Sequence, residues 1–306
     1  MDRRAVAARA LGRMLSAPEP GADLPEGRMV DLPGRGRTFV VDVPGPPGAP
    51  TLVLLHALGC TGYLSWFPSI LVLAHDYRVV VLDQRWHGRG IRSKKFRLKD
   101  CADDVAVLAD VLGIDRFIPV GYSMGGLIAQ LVWQRHPHRC DGLVLAATAR
   151  NFRGARREKF FFPLMTAAMV PLSPYVRKRV ERLAITLPEV PCPPAESVRN
   201  WGLAEFRSTS AWSMPAVLRE LGRFNSAPWI GGVDVPTAVV ATAKDHTIPV
   251  RRQYRLAAAI EGATVHEVNA GHASMVLKAD LFVPALVEAC GSVADRLASR
   301  QLPASG

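Results

Sequence analysis

Short runs of uninterrupted apolar residues, each followed by a longer helix-like segment, are the feature that most limits how this chain can fold. The runs are Thr51–Leu55, Val79–Leu82, Phe117–Val120, Leu143–Ala147 and Ala238–Ala241. The helix-like segments are Leu64–His75, Lys99–Leu112, Met124–His136 and Val250–Ile260. Continuous apolarity is typical of strands buried on both faces. The alternation predicts an α/β fold with a mostly parallel, doubly wound sheet.

The ends of this pattern predict the domain organisation. Arg28–Val43 is typical of two antiparallel strands around the turn PGRGR. The alternation stops from Arg150 to about Pro228, where the chain is rich in Pro, Arg, Phe, Trp and Met. We therefore expect an N-terminal extension over 1–27, a core over 28–149 and 229–298, and a helical cap or lid insertion over 150–228.

The distribution of charge along the chain bears on whether the protein binds nucleic acid. The formal net charge of +11 raises the possibility of nucleic-acid binding. Between Arg150 and Arg182, however, nine Arg or Lys residues face only two Glu, so much of the excess lies in one segment. No nucleic-acid-binding motif accompanies it, and we expect no nucleic-acid partner.

The location predicted from the sequence is the cytoplasm. Arginines interrupt the N-terminal segment where a secretory signal needs its apolar centre. No apolar stretch is long enough to span a bilayer. The five cysteines are widely spaced and form no CxxC pair, which favours reduced thiols. The histidines show no metal-ligand spacing, so no metal and no cofactor are expected.

The segment VGYSMGG places Ser123 between an apolar run and a helix-like segment. A G-x-S-x-G motif at such a strand–turn–helix junction is typical of a strained turn that exposes a nucleophilic serine. Gly121 and Gly125 would let the strand and the helix approach closely. The alternative is a glycine-lined turn with an incidental serine.

A nucleophilic serine needs a histidine base that is oriented by a carboxylate. Asp245 follows the run VPTAVVATA, and His272 follows the segment ATVHEVNA, so both are expected at the carboxyl ends of strands. The predicted catalytic residues are therefore Ser123, Asp245 and His272. His246 is a competitor for the role of base, but it adjoins the expected acid.

The loop after the first buried strand, LLHALGCTG, would supply part of an oxyanion hole. We expect the backbone N–H groups of Leu58 and Met124 to form it. His56 is expected to order this loop by hydrogen bonding. Cys60 is an alternative nucleophile for which no base is placed, so a packed thiol is the simpler interpretation.

In its motifs LLHALG, DQRWHGRG, GYSMGG, KDHTIP and AGHASM, the chain resembles the α/β-hydrolase superfamily over roughly residues 28–295. The serine-nucleophile, esterase- and lipase-like members are the most similar. Two positions depart from the family pattern, since His56-Ala57 replaces His-Gly and Arg85-Trp86-His87-Gly88 replaces R-G-H-G. Trp86 either walls the pocket or packs inside its loop.

The resemblance implies a serine hydrolase that cleaves carboxylic esters through an acyl-enzyme, with a small-molecule ester as its partner. Epoxide hydrolases and haloalkane dehalogenases of the superfamily need an aspartate where this chain has Ser123. The alternatives are a same-triad perhydrolase (cofactor-free haloperoxidase), a carbon–carbon bond hydrolase or an acyltransferase. A non-catalytic binding protein with a hydrolase fold is a further alternative.

The apolar stretch from Phe160 to Leu172 is too short to span a membrane. Its simpler interpretation is the underside of the cap, lining an acyl pocket. The alternative is a lipase-like peripheral contact with anionic lipid through its basic flanks. The substrate-pocket candidates are His56, Trp86, Tyr122, Phe161, Trp201 and Trp212.

Overall fold

The computed structural model describes residues 24–152, 205, 208–209 and 214–301. Within them, an eight-stranded sheet is formed by β1 (Gly27–Leu32), β2 (Gly36–Val43), β3 (Thr51–Leu55), β4 (Arg78–Leu82), β5 (Ile118–Tyr122), β6 (Leu143–Ala146), β7 (Thr237–Thr242) and β8 (Thr264–Val268). The strand order is β1-β2-β4-β3-β5-β6-β7-β8. β1, β2 and β4 pair antiparallel, and all remaining neighbours pair parallel.

Helices cover both faces of this sheet. They are α1 (Gly62–Ala74), α2 (Leu98–Val111), α3 (Met124–Arg135), α4 (Met214–Arg223), α5 (Val250–Ala257), α6 (Ser274–Leu277) and α7 (Ala279–Gln301), with short 3-10 turns at Pro137–Arg139 and Ile230–Gly232. Buried residues of α2, α3, α4 and α5 join one core cluster, and those of α1, α6 and α7 join the other. The doubly wound α/β prediction is confirmed.

Alternate side chains of strand β3 pack into the two core clusters on opposite faces of the sheet. Leu52 and Leu54 belong to the cluster under α1 and α7, whereas Val53 and Leu55 belong to the cluster under α2 and α3. Because successive side chains point to opposite faces, both sets must be apolar when both faces are covered. This is the physical reason why the strands are continuous apolar runs.

The predicted elements agree with the observed ones to within a few residues. The five apolar runs are β3 to β7, the predicted helices are α1, α2, α3 and α5, and the segment around PGRGR is the antiparallel pair of β1 and β2. Residues 1–23 of the predicted N-terminal extension lie outside the described residues. So does most of the predicted cap, of which residues 150–152, 205, 208–209 and 214–228 are described.

Pro119 lies inside β5 even though proline has no N–H for the ladder. The amide of Phe117, two residues earlier, donates to Arg139 on the side of β6. The nitrogen of Pro119 therefore faces the same side, because strand geometry repeats every two residues. β6 begins only at Leu143 and pairs with β5 from Val120 onwards. The missing donor thus falls before the ladder with β6 begins.

A helix that crosses a bilayer must be both long and apolar. No helix in the described ranges combines enough length with enough apolarity to cross a bilayer.

Candidate active site

Ser123 lies between β5 and α3 in a strained backbone conformation. Its φ is 53° and its ψ is −111°, and it is one of three non-glycine residues with positive φ in the described chain. Such conformations cost energy and persist where the surroundings impose them. Ser123 is 8% exposed, so the turn places its side chain at a nearly closed but accessible position.

The two flanking glycines impose this turn. A Cβ added to Gly121 would lie 2.2 Å from the carbonyl oxygen of Gly125, and one added to Gly125 would lie 2.0 Å from the carbonyl oxygen of Leu55. Neither contact is sterically possible with backbone atoms. The expectation that these glycines allow the strand and helix to approach closely is confirmed.

Ser123, His272 and Asp245 meet at the carboxyl edge of the sheet. His272 Nε2 lies 2.9 Å from Ser123 Oγ, and His272 Nδ1 lies 2.7 Å from Asp245 Oδ2. Asp245 follows β7 and His272 follows β8, as the motif order predicts. The structure thus brings together three side chains that come from three separate loops.

Asp245 accepts several hydrogen bonds besides the one from His272. Its Oδ1 accepts from the amides of Thr247 and Ile248, each at 2.8 Å, and its Oδ2 accepts from Thr242 Oγ1 at 2.8 Å. Burial alone would raise the pKa of Asp245, but the bonds from His272, Ile248 and Thr242 outweigh it and hold this pKa below its ordinary value. The carboxylate is therefore kept ionised and fixed beside the imidazole.

Gln253 on α5 is a further member of this network that the sequence did not indicate. It is fully buried, and its Nε2 donates to Thr242 Oγ1 at 2.9 Å and to Ile248 O at 2.8 Å. Its Oε1 accepts from the Thr242 amide at 3.0 Å. The signal in the sequence is a glutamine that shares a helix face with Leu256 and Ala257.

His56 and Tyr122, two of the predicted pocket residues, have buried side chains that hydrogen-bond to backbone carbonyls. Both side chains are fully buried. His56 Nδ1 lies 2.8 Å from Ala57 O, and its Nε2 accepts from the Gln84 amide at 2.9 Å. Burial lowers the pKa of His56 to about 4. His56 is therefore a neutral, loop-ordering histidine.

Trp86 packs against residues of its own loop, which is one of the two placements expected from the sequence. It has a φ of 68° and is 7% exposed. Its Nε1 donates to Ser93 O at 2.9 Å, and its ring lies 5.6 Å from that of Phe96. The left-handed φ is one that glycine adopts without strain, and Trp86 stands where the family pattern has glycine. The remaining pocket candidates, Phe161, Trp201 and Trp212, lie outside the described residues.

Met124 and Leu58, whose amides are expected to form the oxyanion hole, follow β5 and β3, respectively. Met124 is the first residue of α3, and amides of a first helical turn have no partner within the helix. Leu58 is half-buried in the turn after β3. Ala57 does not take a positive φ, whereas Gly59 does, at 76°. The change from glycine to Ala57 therefore causes no left-handed strain there.

The geometry does not support His246 as the base or Cys60 as the nucleophile. His246 is exposed, and the ring that hydrogen-bonds to Asp245 is that of His272. Burial raises the pKa of the Cys60 thiol to about 11, against a hydrogen bond with Ser65 that lowers it. Cys60 is therefore a neutral, packed thiol. In the described part of the chain, no group of three or more His, Cys, Asp or Glu side chains is arranged to hold a metal ion.

Comparison with known proteins agrees with this fold. A family model described as the alpha/beta hydrolase fold matches residues 50–180. The chain is 28% identical to the poly(3-hydroxyalkanoate) depolymerase of Ectopseudomonas oleovorans over 284 residues, which cover 86% of this chain and 92% of that protein.

Solved structures show the same architecture. A hydrolase from Pseudomonas aeruginosa PA01 superposes with a TM-score of 0.70 at 22% identity, over 87% of this chain and 98% of that one. The enol-lactonase from Burkholderia xenovorans LB400 superposes with a TM-score of 0.67 at 24% identity, over 86% of this chain and all of that one. With its sheet order and its strained serine turn, the chain belongs to the α/β-hydrolase superfamily and is an enzyme of the hydrolase class.

Proposed function

We propose that this protein hydrolyses carboxylic esters through a covalent acyl-enzyme, with Ser123 as nucleophile, His272 as base and Asp245 as the orienting acid. The observation that carries the proposal is the continuous chain of hydrogen bonds from Ser123 Oγ to His272 Nε2 and from His272 Nδ1 to Asp245 Oδ2, at 2.9 and 2.7 Å. Such a relay activates a hydroxyl that is otherwise a weak nucleophile.

In the first half of the reaction, Ser123 Oγ attacks the ester carbonyl carbon while its proton passes to His272 Nε2. The oxyanion forms beside the N-terminus of α3, where the Met124 amide and the helix dipole favour negative charge. The tetrahedral species then expels the alcohol, which takes the proton from His272. Ser123 is left as an ester of the acyl group.

In the second half, His272 takes a proton from water, and the resulting hydroxide attacks the acyl-enzyme. The intermediate collapses to the carboxylic acid, and Ser123 recovers its proton from His272. Asp245 keeps the Nδ1–H tautomer in place and stabilises the imidazolium in both halves. No further reactant is needed.

Two of the similar proteins support esters as the substrate class. Poly(3-hydroxyalkanoate), named in the depolymerase, is a polyester, and a lactone is a cyclic ester. The same three side chains also serve perhydrolases, carbon–carbon bond hydrolases and acyltransferases, which remain the alternatives. The partner that we propose is therefore a small-molecule ester.

The proposal is tested by steady-state hydrolysis of p-nitrophenyl esters from acetate to palmitate. We expect Ser123→Ala to lower kcat by roughly 10⁴-fold or more. Ser69→Ala is the matched control, because Ser69 is a fully buried serine on α1, a helix that carries none of the three side chains. Equal turnover by wild type and Ser123→Ala on every ester would refute the ester-hydrolase function.

A further inference from the structure

Tyr122 connects the strand that carries the nucleophile to the loop that carries the base. It is the last residue of β5 and immediately precedes Ser123. Its hydroxyl donates to the backbone carbonyl oxygen of His272 at 2.6 Å and lies 3.3 Å from Ser274 Oγ. One side chain therefore joins two segments that lie 150 residues apart in the sequence.

The ring of Tyr122 is held from three sides. Its centroid lies 6.3 Å from that of Trp66, 5.3 Å from that of Phe282 and 5.8 Å from that of His272. The contacts with Trp66 and Phe282 are edge-to-face, an arrangement that aromatic pairs favour. Because the side chain is fully buried, its hydroxyl has little freedom to leave the His272 carbonyl.

Burial also fixes the protonation state of this hydroxyl. It raises the pKa of the Tyr122 phenol well above its ordinary value, more than the hydrogen bond with Ser274 lowers it. Burial thus favours the neutral phenol, the form that donates a hydrogen bond.

Backbone hydrogen bonds join the loop that carries His272 to its own residues and to the segment before Asp245. The amide of Ala270 donates to Val268 O and the amide of Ser274 donates to Gly271 O, both of which are bonds within the loop itself. The amide of Lys244 donates to Ala270 O and joins the loop to the segment before Asp245. Unlike these backbone bonds, the hydrogen bond from Tyr122 joins the loop to β5, the strand that precedes Ser123.

From this arrangement we infer that Tyr122 is a positioning residue, which sets the distance between His272 Nε2 and Ser123 Oγ by holding the His272 carbonyl. The inference rests on the proposed function of the three side chains. It does not require that an ester be the substrate, because any reaction that begins with proton transfer from Ser123 depends on the same distance.

The test is Tyr122→Phe, which keeps the ring and removes the hydroxyl. The matched control is Tyr63→Phe, because the Tyr63 hydroxyl also donates to a backbone carbonyl, that of Pro25, in the segment before β1. We expect Tyr122→Phe to lower kcat about 10-fold with little change in KM, as expected for a lost interaction of one hydrogen bond. Tyr63→Phe should keep the wild-type kcat.

Both variants are also unfolded in urea. Similar shifts of the two midpoints, with kcat reduced only in Tyr122→Phe, would support the positioning role. A kcat equal to that of wild type, or an equal loss of kcat in both variants, would overturn it.

A second readout separates this inference from the proposed substrate class. The rate at which a fluorophosphonate labels Ser123 depends on activation by His272 but not on an ester cycle. We expect labelling of Tyr122→Phe to be about 10-fold slower than that of wild type. If wild type hydrolyses none of the esters and yet shows this difference, the positioning role stands and the ester function fails.

A double-mutant comparison shows whether Tyr122 acts through the base. In a His272→Ala background, Tyr122→Phe should cause no further loss of the residual labelling rate. A further 10-fold loss there would mean that the hydroxyl acts without His272, and the inference would be wrong.

Discussion

Thr242 donates its hydroxyl to Asp245 Oδ2 at 2.8 Å, so the last residue of β7 orients the carboxylate that follows it three residues later. Gln253 in turn donates to the Thr242 hydroxyl at 2.9 Å and fixes the direction of that bond. The orientation of Asp245 thus depends on the end of β7 and on a buried residue of α5. Both supports lie outside the motifs that identify the site.

We expect Thr242→Val to lower kcat/KM about 5- to 10-fold, since one charge-assisted hydrogen bond to Asp245 is lost. Thr237→Val is the matched control, because Thr237 lies at the other end of the same strand and donates to Val235 O. Its kcat/KM should be unchanged. Steady-state kinetics on one p-nitrophenyl ester compare the two, and equal losses would contradict a role specific to Asp245.

Gly125→Ala should destabilise the protein by about 3 kcal/mol or more, because its Cβ would meet the Leu55 carbonyl oxygen at 2.0 Å. Gly113→Ala measures only the free-energy cost of placing an alanine in the left-handed region. Gly113 has a φ of 64°, and no atom lies within 4 Å of an added Cβ. This substitution should cost about 1 kcal/mol. Urea unfolding measures both, and similar losses would show that the elbow can relax.

Trp86→Gly separates backbone strain from packing at one position. Glycine would relieve the φ of 68°, which is worth about 1 kcal/mol, but would remove a buried indole whose loss costs about 3 to 5 kcal/mol. We expect a net destabilisation of about 2 to 4 kcal/mol. A more stable variant in urea would mean that strain, and not packing, governs this loop.

Acid should destabilise the fold through two buried histidines. Burial lowers the pKa of His56 to about 4 and that of His87 to about 3, the latter also by repulsion from His56. Since the unfolded chain binds these protons near pH 6.5, stability is complete above that value and falls as the pH drops towards 4 and 3. The loss approaches about 1.4 kcal/mol per pH unit for each histidine.

The measurement is the free energy of unfolding in urea from pH 7.5 to 4.5. His87→Gln should flatten the pH dependence relative to that of wild type. Equal slopes in wild type and His87→Gln would contradict a contribution from His87.

Contact between the basic segment 150–182 and membranes remains a prediction of the sequence, as does the cytoplasmic location. Such contact predicts that the protein sediments with anionic vesicles but not with zwitterionic ones, and that added salt weakens the binding. Reversing three charges with Arg177→Glu, Lys178→Glu and Arg179→Glu should abolish it. Equal binding to both kinds of vesicle would exclude this electrostatic contact.

The sequence predicts the sheet well because both faces of β3 to β7 are covered, which makes each strand a continuous apolar run. The three candidate site residues can be picked out of the sequence because each follows a strand, β5, β7 or β8. The sequence predicts the direction of individual side chains less well than it predicts the positions of the strands. Tyr122 shares a core cluster with Ile118 and Val120, and this alternation along β5 could have placed it in the interior.

Other features could not be read from the sequence for physical reasons. Trp86 packs against Phe96 and Ser93 through a loop conformation that no periodicity encodes. Gln253 reaches Thr242 only because α5 folds back onto β7, a contact set by tertiary packing. Both depend on contacts between segments, which local patterns do not specify.

The position of β8 at the edge of the sheet has a consequence for inactivation. β8 pairs only with β7 among the described strands, and the loop with His272 follows it directly. Edge elements open locally at a lower free energy than the centre of a sheet. Heating should therefore displace the base before the sheet melts, so that activity disappears at a lower temperature than the global unfolding signal.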